Sequence, residues 1–242
     1  MQDTMQKCTN FPVYPLFNPG KIFAVQTREK VNWRKMYHRK ERFIMATVGL
    51  TAIDVAEYVI ELSLEIYKND SKWERTVKAF KQYNPEMESK EIERDSVLVD
   101  YFKLHKLLFF MQGYSLALYG VPLFNNKTRA HTCGPLISDL EDVYLTYGVF
   151  TITEELTMPN REHSSIPTVY KATINDAFCR FGLFNRDHLI DWSMNMKIWE
   201  QARENSNDNY RPLMKKVDIK EHFESFYSPA QIIGSILRCS TI

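Results

Sequence analysis

The sequence predicts a mainly α-helical protein, a compact helical bundle around one central apolar helix with a small β-hairpin beside it. Apolar residues recur at helical spacing in several segments, and cap residues precede the clearest of them. The segment 101–119 is apolar in nearly every direction around its axis. A chain of 242 residues that is 44% apolar and 13% aromatic is long enough to bury a substantial core.

Charge separates the first 44 residues from the remainder of the chain. Residues 1–44 carry nine Lys and Arg against three acidic residues, a net charge of +6, whereas 45–242 carry 22 basic and 27 acidic residues. We expect 1–44 to be an irregular basic arm. A second interpretation starts the natural protein at Met45, because the codons of Lys40-Glu41-Arg42 can spell a purine-rich ribosome-binding sequence. Nucleic-acid binding by the arm is disfavoured, since the acidic remainder repels phosphate.

Two helices are predicted after the arm. Thr51 and Asp54 have the spacing of a capping box, and apolar residues recur at helical intervals behind them, which predicts a helix over 52–67. Trp73 lies in a charge-dense stretch, 68–95, where a second, shorter helix is expected.

The central helix is predicted over 101–119, with Asp100 as its N-cap and Gly120 as its C-cap. At 1.5 Å per residue it is roughly 28 Å long. His105 and Gln112 mark its one narrow polar stripe. No run of about 18 apolar residues occurs, so we expect no transmembrane helix and no membrane partner.

A small hairpin is predicted near 121–132, with its turn at Asn125-Asn126, and Gly134-Pro135 is expected to break the chain after it. A long loop is expected over 149–172, and the tail 227–242 lies outside the core. The further helices are predicted at 138–147, from about Thr173 to Phe181, from the cap Asn185 through Trp199, and around 217–226.

No catalytic, cofactor-binding or metal-binding motif is found, so we expect no enzyme activity, no cofactor and no metal. His131 and Cys133 amount to half of a metal site without a second half. The four cysteines are widely scattered and form no CxxC pair, which is typical of reduced thiols. No apolar leader is seen in the first 20 residues, so we expect a cytoplasmic protein.

Three segments resemble a bacterial and phage family, the Panacea domain or SocA-like antitoxin domain: DVAEYVI at 54–60, KLHKLLFFMQGYSLALYGVPLF at 103–124 and AHTCGPL at 130–136. A weaker block follows at 181–202. The resemblance extends over about 45–226, with 68–95 as a longer charged insertion. His131 and Met194 replace a Trp and a His of the family pattern. The family-motif residues are Lys103, Leu104, Lys106, Leu107, Leu108, Gln112, Gly113, Gly120, Pro122, Leu123, Phe124, Gly134, Pro135 and Trp199.

The resemblance implies an antitoxin whose partner is a cognate toxin encoded by a neighbouring gene. It also implies an alternative, an adaptor that delivers the toxin to an ATP-dependent protease. Neither role needs a catalytic site. We expect Lys103, Lys106 and Gln112 to stabilise the core. Partner contacts are predicted at Trp73, His131 and Tyr144.

Overall fold

The computed structural model describes residues 49–87, 92–153, 166–204 and 211–226. The predictions for the arm 1–44, for a start at Met45 and for the tail 227–242 lie outside these residues. Within them, no helix has both the length and the apolar character needed to cross a membrane.

The described residues are mainly helical and include a three-stranded antiparallel sheet of order β2-β1-β3, which confirms the predicted fold class. The helices are α1 (Ala52–Lys68), α2 (Asp70–Tyr83), α3 (Tyr101–Tyr119), α4 (Ser138–Tyr144), α5 (Thr168–Phe181), α6 (Arg186–Met194), α7 (Lys197–Glu204) and α8 (Lys216–Phe226). The strands are β1 (Thr128–His131), β2 (Gly134–Ile137) and β3 (Leu213–Met214). Short 3-10 turns cover Arg94–Val97 and Leu145–Tyr147.

Helix α1 begins at the predicted capping box. The backbone N–H of Thr51 donates to the Asp54 carboxylate at 2.8 Å, and the N–H of Asp54 donates to the Thr51 hydroxyl at 3.2 Å. These two bonds satisfy donors that the first turn leaves open. Glu57, on the inner side of α1, is buried.

Helix α3 is the centre of the fold and has the predicted bounds. The Asp100 side chain accepts from the N–H of Lys103 at 2.9 Å, and Gly120 ends the helix in the left-handed conformation with φ 72°. Every residue of α3 except Phe102 and Ala117 is buried. Helices α1, α5, α6 and α8 and strand β2 pack around it. A helix that is apolar all round is thereby enclosed on every side.

The hairpin lies further along the chain than predicted, over 128–137, with its turn at Thr132-Cys133 instead of Asn125-Asn126. The Asn126 carboxamide is used elsewhere, because it accepts from the backbone N–H of Ala52 at the start of α1 at 2.7 Å. Pro135 does not break the chain. It lies in β2, an edge strand, where a residue without an N–H is tolerated.

Two further helix boundaries and one strand differ from the predictions. Helix α5 begins at Thr168, because Pro167 has a φ of −59° that suits a helix start and lacks the N–H that would go unsatisfied there. The single helix expected from Asn185 through Trp199 is two helices, α6 and α7, with a break at 195–196. Strand β3 was not predicted, and it pairs with β1 through the register Thr128 to Met214.

Candidate partner-binding site

Lys103 connects α3 to two other segments from inside the core. Its ammonium group donates to the carbonyl of Gly182 at 2.8 Å and to the carbonyl of Ser96. The side chain is buried, and desolvation lowers the pKa of Lys103 to about 7, although Asp100 opposes the shift. The amine therefore holds backbone carbonyls at the end of α5 and in the 3-10 turn.

Lys106 attaches the hairpin to α3. Its fully buried Nζ donates to the carbonyl of Pro135 at 3.0 Å, and burial lowers the pKa of Lys106 to about 7. Gly134 makes this approach possible. A Cβ at Gly134 would lie 2.6 Å from Ser193 Oγ and 3.0 Å from Lys106 Cε, and the φ of +86° is strained for any other residue. Strand β2 can therefore reach α3 only with glycine here.

Gln112 supports the segment that follows α3 with three hydrogen bonds. Its Oε1 accepts from the N–H groups of Leu123 and Phe124 at 2.7 and 3.2 Å, and its Nε2 donates to the carbonyl of Phe124 at 3.0 Å. The side chains of Leu123 and Phe124 are fully buried. One amide thus satisfies three backbone groups that water does not reach.

His105 completes this set, although from the sequence it was only part of a polar stripe. Its Nδ1 accepts from the N–H of Ile137 at 2.9 Å, and the ring packs edge-on against Tyr101 with centroids 4.5 Å apart. Burial, with Lys106 and His131 adding to it, lowers the pKa of His105 well below its usual range. The ring is therefore neutral at pH 7. The only indication of this role in the sequence is that His105 shares a narrow polar stripe with Gln112 on an otherwise apolar helix.

The remaining motif residues pack in the core, allow close contact between helices, or lie in the turns that connect the core elements. A Cβ at Gly113 would lie 2.4 Å from the Phe223 ring, so glycine allows α8 to approach α3. Pro122 and Trp199 are half-buried. The fully buried apolar motif residues are Leu104, Leu107, Leu108, Leu123 and Phe124.

His131 and Trp199 meet at the hairpin turn. Trp199 Nε1 donates to the carbonyl of His131 at 3.0 Å, and His131 Nδ1 accepts from the N–H of Cys133 at 3.2 Å. Burial, followed by Arg211, Lys106 and Arg203, lowers the pKa of His131 to about 4. Among the described residues, no three His, Cys, Asp or Glu side chains gather in a way that could hold a metal ion.

The three predicted partner contacts are not brought together as one exposed surface. Trp73 and His131 are half-buried, and Tyr144 is buried, which leaves Tyr144 little area to offer a partner. Among the residues that the structure describes, the most exposed large apolar side chains lie just beyond Tyr144, in the turn that ends at Phe150. The sequence predicts a helix end and the start of a loop for this stretch. The exposure of this turn was not predicted. The one indication in the sequence is LTYGVF at 145–150, which is rich in apolar residues on both sides of a glycine.

The central segment matches one protein-family model. Residues 104–200 match the family model described as antitoxin SocA-like, Panacea domain. The Panacea resemblance is confirmed over this segment. No significant match was found among curated proteins or among solved structures.

The Panacea segment runs from α3 through the hairpin and α4 to α6 and the first half of α7. Lys106, Gln112, Gly134 and Pro135 lie inside it, and Lys103 lies one residue before it. Helices α1, α2 and α8 lie outside it. The match suggests an antitoxin role and a non-enzymatic one, with a toxin as the general class of partner.

Proposed function

We propose that this protein is a cytoplasmic antitoxin that neutralises the toxin encoded by a neighbouring gene through direct protein–protein binding. The observation that carries the proposal is the Panacea match over residues 104–200. The matched segment includes the central helix and the hairpin attached to it.

The geometry supports a binding role through rigidity. Lys106, His105 and Gln112 connect buried side chains of α3 to the backbone of 123–137. A surface that is already held in one conformation loses less entropy when a partner binds. A stable complex can therefore form on this scaffold without a conformational change.

Co-expression tests the proposal. The full chain is produced with the product of the neighbouring gene, growth is followed, and the complex is isolated by pull-down. We expect the toxin alone to stop growth, and the full chain to restore growth and to co-purify with it. The Gly134→Val variant, which cannot keep the hairpin against α3, is the matched control and should not restore growth. A neighbouring product that is harmless alone, or a full chain that fails to rescue, contradicts the proposal.

The same experiment separates sequestration from the adaptor alternative. Sequestration leaves toxin abundance unchanged, whereas an adaptor lowers it in a way that depends on an ATP-dependent protease. Toxin abundance is measured by immunoblot with and without the protease. The fragment 45–242 should rescue growth as well as the full chain, since the matched segment lies wholly within it.

A further inference from the structure

The turn Leu145–Phe150, here called the apolar loop, concentrates exposed apolar surface. Leu145, Val149 and Phe150 are 61%, 59% and 76% exposed, and Phe150 is the most exposed large apolar side chain in the part of the chain that the structure describes. Isolated exposed apolar residues are common, but three within a six-residue turn are a concentration of exposed apolar side chains, and such concentrations mark interaction sites.

The apolar loop is held in one shape. Its first residues form a 3-10 turn, the N–H of Gly148 donates to the carbonyl of Leu145 at 3.2 Å, and the N–H of Phe150 donates to the carbonyl of Tyr147 at 2.9 Å. The buried Tyr144 precedes it. On the other side the buried Ile152 donates its N–H to the carbonyl of Val99 at 2.9 Å. The loop is thus anchored at both ends, and its apolar side chains are presented on a fixed backbone.

The tip of the apolar loop faces open space. A Cβ built at Gly148 would meet no atom of the described residues within 4 Å, and the backbone there has a φ of +53°. A partner can therefore approach the side chains on both sides of Gly148.

The charges close to the apolar loop indicate which charge a partner should carry. The described residues 130–153 contain three acidic residues, Asp139, Glu141 and Asp142, and no Lys or Arg. Two of the acids interact within the protein, since Glu141 accepts from Arg211 at 2.7 and 2.9 Å and Asp139 accepts from Asn126. Asp142 is exposed, three residues before Leu145. The exposed carboxylates of Asp139 and Asp142 disfavour phosphate and favour a basic segment as the partner.

We infer that the apolar loop, together with Asp142, is the docking surface for the toxin, and that the toxin contributes a basic segment bearing an apolar side chain that packs on Phe150. This inference rests on the proposed antitoxin function. Aromatic residues that become fully covered carry a disproportionate share of binding energy, so Phe150 is the expected centre of the interface. Asp142 contributes an attraction that salt screens.

The test compares matched serine variants of the full chain, with the purified toxin as the probe. Phe150→Ser and Leu145→Ser remove the proposed contacts. Leu213→Ser and Val217→Ser are the controls, because these side chains are also about half exposed, at 49% and 54%, and lie outside the Panacea segment. We expect Phe150→Ser to raise the dissociation constant by roughly tenfold or more, as for a central interface aromatic. The controls should change it by less than about twofold, as for residues outside an interface.

A charge variant tests the second part of the inference. Asp142→Lys should weaken binding, and the salt dependence of the dissociation constant should be smaller for this variant than for the unaltered chain. Glu221→Lys in α8 is the control with the same charge change at an exposed position outside the Panacea segment, and it should leave the affinity unchanged. Thermal unfolding of each variant verifies that the fold is retained.

The outcomes separate this inference from the proposed function. Wild-type affinity in Phe150→Ser, with rescue of growth intact, overturns the docking surface and leaves the antitoxin proposal standing. The inference also fails if Phe150→Ser converts a self-associated protein to a monomer without changing toxin affinity, since the loop then binds a second copy. Absence of any toxin binding by the unaltered chain defeats the antitoxin proposal and this inference with it.

Discussion

Two groups of buried polar side chains stabilise the region around α3 in different ways. On the hairpin side, Lys106, His105 and Gln112 bond to backbone groups. On the other side, Asp176 of α5 accepts from the hydroxyls of Tyr83, at 2.7 Å, and Tyr114, and its neighbour Arg180 completes a side-chain cluster.

The difference lies in what each group tolerates. A side chain that bonds to backbone needs no particular side chain at the other end, so the hairpin sequence can vary, except at Gly134, as long as its path is kept. The cluster around Asp176 needs all of its members. The Arg180 guanidinium lies 3.8 Å from the Tyr83 ring centroid and 5.0 Å from that of Tyr114, so the same residues share hydrogen bonds and cation–π contacts. We expect the cluster to be the more sensitive of the two.

The largest effect is expected when the shared acceptor of the cluster is removed. Asp176→Ala removes the carboxylate that accepts from Arg180 and from two tyrosine hydroxyls. Breaking a buried ion pair in this way lowers the free energy of unfolding by about 3–5 kcal/mol. Urea denaturation measures the change. Asp187→Ala is the control, because Asp187 pairs with Arg186 at the surface and such pairs contribute less than about 1 kcal/mol. Equal losses in the two variants would show that the cluster adds nothing beyond a surface pair.

A smaller effect is expected on the hairpin side. Gln112→Leu keeps the volume but leaves the backbone groups of Leu123 and Phe124 without their buried partner, at a cost of about 2–3 kcal/mol. Chemical denaturation of Gln112→Leu and of the exposed Gln82→Leu gives the comparison, and the control should change by less than about 0.5 kcal/mol. A larger loss for Gln112→Leu than for Asp176→Ala would reverse the order proposed for the two groups.

Removing one hydroxyl tests whether the members of the cluster are energetically coupled. Tyr83→Phe deletes a single hydrogen bond to Asp176 and keeps the ring under Arg180, so we expect a loss of about 1 kcal/mol. A double-mutant cycle with Asp176→Ala measures the coupling. If the two losses add fully, the hydroxyl and the carboxylate act independently, contrary to the description of a cluster.

The two buried lysines make stability depend on pH with a definite sign. Burial lowers the pKa values of Lys103 and Lys106 to about 7, from 10.5, so between these values the unfolded chain binds more protons than the folded one. The free energy of unfolding contributed by these groups therefore rises with pH from about 7 upwards. Below pH 7 both states are protonated and the full cost of burying the charge remains.

Urea denaturation between pH 7 and pH 9 measures this dependence. Lys103→Met with Lys106→Met should show a flatter dependence than the unaltered chain. Changing Lys127 and Lys215, which are not buried, to Met provides the matched control and should leave the slope unchanged. Parallel curves for the unaltered chain and the buried-lysine variant would contradict the assignment.

How much of this could be predicted depended on whether the signal was local. The bounds of α3 were predicted because Asp100 and Gly120 are caps that act on their immediate neighbours. The hairpin was displaced because Asn125-Asn126 resembles a turn, whereas Asn126 is used by the start of α1, far away in sequence. The break between α6 and α7 was missed because Trp192 and Trp199 have the spacing of one continuous helix.

The candidate site divides in the same way. The motif glycines at 113 and 134 were identified by resemblance. The reason that glycine is needed there is the close approach of Phe223 and Ser193, which only the tertiary structure shows. The Asp176 cluster draws on helices separated by many residues and has no spacing that a sequence could show. The exposure of Phe150 depends on which faces other elements cover, and periodicity does not encode this.

Pro135 has a consequence for how partners are recognised. It lies in β2, which is an outer strand of the sheet, and β2 is buried along its whole length. The opposite outer strand, β3, has only two residues. In the part of the chain described here, neither margin of the sheet can template an added strand from another chain. A partner that binds at the sheet must therefore contact side chains instead of adding a strand. For the same reason, edge-to-edge strand pairing between copies of the protein, which leads to aggregation, is blocked at this sheet.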